Sequence, residues 1–168
     1  MMPRSMKLFG HATLLSVVAV AFSLLALPGQ AQRSGPFALF NGSWAGGGTI
    51  TLGSGTKERI RCRANYVVDG SGATLRLELR CASDSYRFDL AASASHSGGE
   101  ISGTWSESGR GSGGALAGSA SGSRINIRAS GDTFSALISM NTTPGKQQIS
   151  IQSPGSELSS VSISLSKG

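Results

Sequence analysis

Residues 59–81, with the sequence RIRCRANYVVDGSGATLRLELRC, carry the strongest strand signal in the chain. Apolar or small residues alternate with polar ones, mostly arginine, in the first arm, and leucine alternates with charged residues in the second. Because successive side chains on a strand point to opposite faces, each arm has one apolar and one charged face. The DGSG segment between the arms accepts the backbone angles of a tight turn. The stretch therefore predicts a β-hairpin.

The register of this hairpin brings together the two cysteines, which are the only ones in the chain. With Ser71 and Gly72 as a two-residue loop, the opposed pairs are Val68 with Leu75, Tyr66 with Leu77, Ala64 with Leu79, and Cys62 with Cys81. A slip of one residue would move the apolar set of one arm to the other face. This register assigns the cysteines to a hydrogen-bonded pair, where Cα atoms are farther apart than at the alternate pairs, unless a bulge or a longer loop shifts the pattern.

We predict a disulfide between Cys62 and Cys81. It would close a loop of twenty residues and contribute about 3 kcal/mol on the chain-entropy model. The alternative is a pair of reduced, buried thiols. Metal binding by two isolated cysteines is less favoured still, because a structural zinc site needs four ligands.

Residues 1–31 predict a secretory signal peptide. Arg4 and Lys7 give a positive start, residues 12–27 are uncharged and apolar or small, and small residues at 29 and 31 suit a signal peptidase. Cleavage before Gln32 leaves residues 32–168 as a single exported domain, periplasmic or secreted, in a compartment that permits disulfides. An uncleaved membrane anchor is disfavoured because the run is short for a bilayer span.

Residues 32–168 predict an all-β domain, because they show no apolar residues at helical spacing. We expect a loose lead over residues 32–39, then a strand over 40–52 whose inward Gly46 and Gly48 mark a barrel corner. Residues 107–114 predict a flexible loop, and residues 116–121 a poor strand. In all, eight to ten short antiparallel strands should form a barrel or closed-up sandwich, since closure leaves few unpaired edges.

Three resemblances accompany this pattern. Gly42-Ser43-Trp44, followed by glycines and a β-meander, resembles the G-x-W start of lipocalins and other calycin barrels. In those families the tryptophan plugs one barrel end beneath an arginine near the last strand, where this chain offers Lys167. A small exported barrel with G-x-W and a cysteine pair also resembles periplasmic inhibitors of secreted metalloproteases. The RIRCRA, LRCASDSY and GTWSE segments resemble small uncharacterised exported proteins of alphaproteobacteria, which implies no activity. The second G-x-W sequence, at residues 103–105, leaves open a duplication of the two halves.

Catalytic motifs are absent from the sequence. His96, the one histidine beyond the leader, lies in a glycine-serine turn that is a poor place to hold a general base, so we expect a plain loop histidine. The acidic residues show no spacing that favours acid–base catalysis, and GRGSGG lacks the lysine and helix of a phosphate loop. We therefore predict that the chain is not an enzyme and has no catalytic residue, metal site or cofactor.

The polar face of the hairpin is a candidate anion-binding surface. Its outward arginines are Arg59, Arg61, Arg63, Arg76 and Arg80, opposed only by Glu78 and Asp84. Such a face suits lipopolysaccharide, another envelope polyanion or an acidic exported protein. The alternative is a solvated face that protects the sheet edge from aggregation. Nucleic acid is a poor partner without an aromatic stacking platform, and we expect a monomer with no stable membrane insertion.

The sequence supports two hypotheses about function. The first is a non-enzymatic binding module that recognises an anionic envelope component or inhibits an exported protein through its surface. The second is a calycin-like carrier with a small apolar ligand in an interior cavity lined by Trp44, Tyr66, Phe88 and Trp105. The inward glycines favour a cavity, whereas the small size of the chain favours a filled core.

Overall fold

The computed structural model describes residues 34–132 and 134–168, so the predicted signal peptide lies outside the described residues. Ten β-strands follow one another along this part of the chain. They are β1 (Gly42–Leu52), β2 (Lys57–Val68), β3 (Thr74–Ala82), β4 (Arg87–Ser97), β5 (Glu100–Glu107), β6 (Ser112–Ser121), β7 (Arg124–Gly131), β8 (Ser135–Thr143), β9 (Lys146–Gln152) and β10 (Leu158–Lys167). The prediction of an all-β fold with eight to ten strands is confirmed.

The strands form a closed barrel in which each pairs antiparallel with its neighbours in sequence and β10 pairs with β1. Closure leaves no unpaired sheet edge. The loops fall at two ends. The N-terminal end, where the chain enters the barrel, carries the loops at 69–73, 98–99, 122–123 and 144–145. The distal end carries the loops at 53–56, 83–86, 108–111 and 153–157 and the connection from β7 to β8, which contains Phe134.

The hairpin of β2 and β3 has the predicted register but a different loop. Cys62 and Cys81 lie opposite each other and form the predicted disulfide, with Cα atoms 4.1 Å apart. That separation fits the narrow, non-hydrogen-bonded pair, so the assignment to a hydrogen-bonded pair is wrong. The backbone N–H of Asp69 donates to the carbonyl of Thr74. This bond closes a four-residue loop instead of a two-residue one, and the hydrogen-bonding pattern therefore shifts by one position.

The side chain of Asp69 holds this loop together. Its carboxylate accepts hydrogen bonds from the backbone N–H groups of Ala73 and Thr74, both at 2.9 Å, and from the Ser71 hydroxyl at 2.6 Å. These bonds, led by that from Ser71, hold the pKa of Asp69 below its usual value. Gly72 has a φ of 73°, which glycine adopts without strain. The DGSG sequence therefore builds the turn, although at a greater length than predicted.

Inward glycines mark two bends on opposite sides of the barrel. A Cβ atom at Gly48 would overlap the backbone oxygen of Ser162 on β10, so only glycine allows β1 and β10 to approach this closely. Gly46 makes the same approach to Ser164. Gly103 on β5 and Gly114 and Gly118 on β6 meet backbone oxygens of β4 and β7 in the same way. These contacts agree with the barrel corner predicted from Gly46 and Gly48.

The segment after β5 is more ordered than predicted. Only residues 108–111 are loop, and residues 112–121 form a complete strand instead of a poor one. The order comes from Glu107, which is 5% exposed and accepts backbone hydrogen bonds from Asp89, Gly109 and Arg110. The prediction of a flexible loop over residues 107–114 is wrong. It was based on the glycine and serine content of the segment, whereas the buried carboxylate of Glu107 fixes the backbone through hydrogen bonds.

The lead before β1 is also fixed in place. Gly35 donates a backbone hydrogen bond to the carbonyl of Ser71, and Phe37 donates one to that of Gly72. The Asn41 side chain accepts a hydrogen bond from the backbone of Val68. Residues 34–41 therefore pack against the β2–β3 loop, and the prediction of a loose lead is wrong for the described part of it.

Candidate ligand-binding site

The N-terminal end of the barrel is sealed by aromatic side chains. Phe37 and Phe40 from the lead are each 1% exposed, and Trp44 of β1 is 2% exposed. The rings of Phe40 and Tyr66 meet edge to face, with centroids 5.3 Å apart. The indole N–H of Trp44 donates to the Phe40 carbonyl at 2.6 Å. The lead thus forms a plug that is bonded to the barrel wall.

A buried chain of hydrogen bonds lies beside this plug. The Tyr66 hydroxyl donates to Gln147 Oε1 at 2.9 Å, and Gln147 Nε2 donates to Thr142 Oγ1 at 3.0 Å. Burial raises the pKa of Tyr66 and the bond to Gln147 opposes that shift, so the hydroxyl stays neutral. These hydrogen bonds connect β2 to β8 and β9 and stabilise the N-terminal end of the barrel.

Lys167 completes the N-terminal end. It pairs with Trp44 in the β1–β10 register, and its Nζ lies 5.7 Å from the centroid of the Trp44 ring. A cation within about 6 Å of an indole face is attracted to it. Lys167 therefore occupies the place that the calycin resemblance gives to an arginine, above the tryptophan of the G-x-W start.

The distal end differs, because its apolar side chains are only half-buried. Those nearest the loops are Leu52, Tyr86, Phe88, Leu90, Phe134 and Leu158. Tyr86 and Phe88 stack with centroids 5.9 Å apart, and Phe134 packs edge to face on Trp105 at 5.5 Å. Solvent reaches an aromatic-lined mouth here, as is common at the mouths of barrels that bind ligands.

Arg110 lies across this mouth. Its guanidinium carbon is 5.2 Å from the ring centroid of Phe88 and 5.6 Å from that of Tyr86. Glu107 holds the loop that carries it, and the two side chains approach to 3.8 Å. Burial alone would raise the pKa of Glu107, but the backbone hydrogen bonds and the charge of Arg110 outweigh it, and the pKa lies below its usual value. Glu107 therefore remains ionised and positions Arg110.

A second carboxylate fixes the neighbouring distal loop. Glu58 Oε2 accepts hydrogen bonds from the Ser83 hydroxyl at 2.8 Å and from the backbone N–H of Ser85 at 3.1 Å. Hydrogen bonds from Ser85 and Ser83 hold the pKa of Glu58 below its usual value. The loop before β4, which carries Tyr86, is thus set by a side chain of β2.

Two opposing walls of the barrel carry inward side chains that are only half-buried. On one wall they are Leu77 and Leu79 of β3 with Leu90 and Ala92 of β4, and on the other Ile138 and Met140 of β8 with Ile151 of β9. Inward residues nearer the β1–β10 seam, such as Ile50, Ile163 and Leu165, are fully buried. The interior is therefore tightly packed at the seam and less tightly packed between these walls.

The predicted interior residues separate into two groups. Trp44 and Tyr66 belong to the sealed N-terminal end, whereas Phe88 and Trp105 belong to the distal mouth. All four face inward, but no single cavity wall contains them. His96, expected in a loop, lies in β4 on the inward face and is half-buried.

The five predicted arginines are outward and exposed, but they do not form one site. Arg61, Arg63 and Arg80 line a groove of about 940 Å³ on the outer face of β1–β5. Arg76 lines a separate groove of about 580 Å³, and Arg59 lines neither. Arg80 pairs with Asp89 at 3.3 Å, so Asp89 supplies the counter-charge that was expected from Glu78 and Asp84.

Residues 34–132 and 134–168 contain no group of three or more histidine, cysteine or acidic side chains placed to hold a metal ion. No helix among them has the length and hydropathy to cross a membrane.

Comparison with known proteins shows the class of fold. No protein-family model and no curated protein sequence matches the chain. Among solved structures, it is similar to an S-type phycobiliprotein lyase from Guillardia theta, with a TM-score of 0.58 and 10% identity over 82% of this chain and 94% of that one. The likeness supports the calycin-like barrel predicted from the G-x-W start. The finer resemblance to exported alphaproteobacterial proteins stays a prediction.

The prediction that the chain is not an enzyme is overturned by this likeness. A protein named a lyase is built on a similar barrel. A sequence without a catalytic motif therefore does not exclude an enzyme on this architecture, because function lies in sites that differ between proteins of one fold.

Sequence reasoning missed three residues of the two ends. Phe37 and Phe40 form the plug, and the PFALF segment that contains them is the aromatic signal that could have marked it. Arg110 lies in a glycine-serine segment without any apolar pattern. No local signal could have placed it over Phe88.

Proposed function

We propose that this protein binds a small, mainly apolar ligand inside the barrel and admits it at the distal end. The asymmetry of the two ends carries this proposal. The N-terminal end is closed by Phe37, Phe40 and Trp44, whereas the distal end presents half-buried aromatic side chains. A ligand would cover apolar surface that solvent now reaches, which favours binding by about 25 cal/mol per Å² covered.

The fold and the loops support the same site. The half-buried side chains on β3, β4, β8 and β9 continue the apolar lining from the mouth into the barrel. Glu58 and Glu107 fix two distal loops, so the mouth is formed before a ligand arrives, which lowers the entropic cost of binding. A similar barrel serves a phycobiliprotein lyase, and chemistry on the bound molecule is compatible with this site.

Titration with N-phenyl-1-naphthylamine, a neutral apolar probe that fluoresces in apolar sites, tests the proposal. Leu90→Trp would fill the interior behind the mouth, and Ala91→Trp would place the same bulk on the outer face of the same strand. We expect saturable binding that weakens at least tenfold in Leu90→Trp and stays within twofold in Ala91→Trp. Phe88→Ala, which opens the mouth without adding bulk, provides a second variant if Leu90→Trp does not fold.

Absence of saturable binding to the wild-type protein would overturn the proposal. Equal losses in the inward and outward tryptophan variants would do so as well, because they would place the probe outside the barrel.

We also infer that the protein is exported. The charged start and apolar run of residues 1–31 support this, and the Cys62–Cys81 disulfide is typical of oxidising compartments. Expression of the full chain followed by N-terminal sequencing should give a mature protein that begins at Gln32. A product that retains Met1 would contradict export by this signal.

A further inference from the structure

We propose that the groove on the outer face of β1–β5 is a binding site for a linear polyanion that carries phosphate or sulfate groups. Its charged side chains lie on the opposite face of the sheet from the barrel interior, and the inward residues Leu79, Phe88 and Leu90 also border it. Its charged lining consists of Arg61, Arg63, Arg80, Arg87, Glu78 and Asp89. The arginines outnumber the carboxylates two to one, and the volume of about 940 Å³ is enough for several units of a polymer.

The strand registers arrange these charges in two rows. One row runs across the sheet through Arg63, Arg80 and Asp89, and the next through Arg61, Ala82 and Arg87. Adjacent strands are about 5 Å apart, and alternate residues along a strand are about 7 Å apart. Four guanidinium groups therefore project from a small patch of sheet.

Ala82 provides the space for an anionic group in this patch. It lies between Arg61 and Arg87 and has a side chain of one carbon, so an anion above it can contact both arginines. Arginine binds phosphate and sulfate oxygens through paired N–H donors. Arg61 and Arg87 have no carboxylate partner within 4 Å in the part of the chain that the structure describes.

The opposed pair Arg63 and Arg80 also favours an anionic ligand. Like charges directly opposite each other in a sheet are destabilising. Asp89 compensates one of them, at 3.3 Å from Arg80. The side chain of Arg80 is 84% exposed and that of Asp89 is 39% exposed. The Arg80–Asp89 ion pair therefore leaves the guanidinium groups of Arg80 and of the exposed Arg63 accessible to a ligand. A polyanion would relieve the remaining repulsion.

The shape of the groove favours a slim chain over a folded protein. Its floor consists of small residues, namely Ala45, Ala82, Ala91, Ser106 and Ser108, and long arginine side chains rise beside them. Hot spots of protein interfaces are enriched in tryptophan and tyrosine as well as arginine. The outward side chains of this groove supply arginine but no aromatic ring.

The test is binding of fluorescently labelled inorganic polyphosphate and heparin, measured by anisotropy at low and moderate salt. The Arg61→Gln/Arg87→Gln variant removes the two cations beside Ala82. Its matched control is Arg124→Gln/Arg128→Gln, which makes the same charge change on the exposed face of β7. We expect at least a tenfold weaker affinity and a shallower salt dependence in the first variant, and less than a twofold change in the control.

A second variant, Ala82→Glu, leaves all arginines in place and puts a carboxylate in the space for the anion. We expect it to weaken both polymers at least tenfold without lowering Tm by more than a few degrees. The two polymers distinguish the sources of the anionic groups. Binding of polyphosphate alone would indicate that the ligand is a phosphate chain, and binding of heparin alone would indicate a sulfated polysaccharide. Either result supports the site.

Two outcomes would overturn the proposal. One is that neither polymer binds at low salt, and binding of labelled polyglutamate in that case would indicate an acidic protein surface as the partner. The other is that the β7 control loses as much affinity as the groove variant, since net charge would then explain the binding.

Discussion

Replacement of both cysteines by alanine, Cys62→Ala with Cys81→Ala, tests the cross-link of the hairpin around which the barrel is built. The disulfide joins residues 19 apart in sequence. Closing a loop of this length lowers the entropy of the unfolded chain by an amount worth about 3 kcal/mol at 25 °C. A domain of this size loses about 3 to 4 °C in Tm for each kcal/mol. Loss of the cross-link alone should therefore lower Tm by about 10 °C.

Thermal unfolding followed by far-ultraviolet circular dichroism separates the cross-link from packing. The oxidised wild type is compared with wild type unfolded and refolded in reductant, and with the double variant. Cys62 and Cys81 are 3% and 5% exposed. The reduced protein therefore keeps its sulfur atoms in the core and loses only the bond. The double variant should melt lower still, because it also loses buried atoms.

The control is reductant added to the double variant, which should leave its Tm unchanged. A reduced wild type that melts within about 2 °C of the oxidised protein would refute the reasoning. It would mean that the unfolded hairpin is already compact, so the cross-link restricts little.

Three further substitutions test other parts of the barrel. Tyr66→Phe leaves the buried Gln147 oxygen without its donor and should cost about 1–3 kcal/mol in urea unfolding. Adding Gln147→Leu with Thr142→Val removes the remaining polar partners and should recover part of the loss, and full stability of the single variant would contradict this. Gly48→Ala should cost at least about 2 kcal/mol in the same assay, because its Cβ overlaps the Ser162 backbone, and unchanged stability would show that β1 and β10 separate easily. Glu107 has a lowered pKa in the folded protein, so it contributes stability above about pH 4.3 that is lost as the pH falls through the folded pKa. Glu107→Gln should therefore lower Tm at pH 7 and reduce the decrease in Tm that the wild type shows below about pH 4.3. Values of Tm equal to those of the wild type at every pH would contradict this role of Glu107.

Much of the barrel was predictable from the sequence because strand patterns are local. The alternation in residues 59–81, together with the turn and the two cysteines, predicted the register and the partner of each cysteine. A slip of one residue would move the apolar set of one arm to the other face, and a slip of two would separate the cysteines. The loop length was not predictable, because both loops preserve the same pairs, and the choice between them rests on the hydrogen bond between Asp69 and Thr74.

The ligand site was less predictable because it depends on residues far apart in the chain. Phe88 and Trp105 were identified as inward from alternation, which is a local property. The position of Arg110 over Phe88 depends on Glu107 receiving backbone hydrogen bonds from β4 and from its own loop. A segment rich in glycine and serine has no pattern that reveals such a contact.

The sequence by itself determined the all-β class, the hairpin register, the disulfide and the outward direction of the arginines, because each follows from side-chain alternation along a strand. Only the tertiary structure decided that β1 and β10 close the barrel, that Phe37 and Phe40 seal one end, and that Arg61 and Arg87 flank Ala82. These features join elements through pairing and packing across the whole barrel. Such contacts have no local period for the sequence to show.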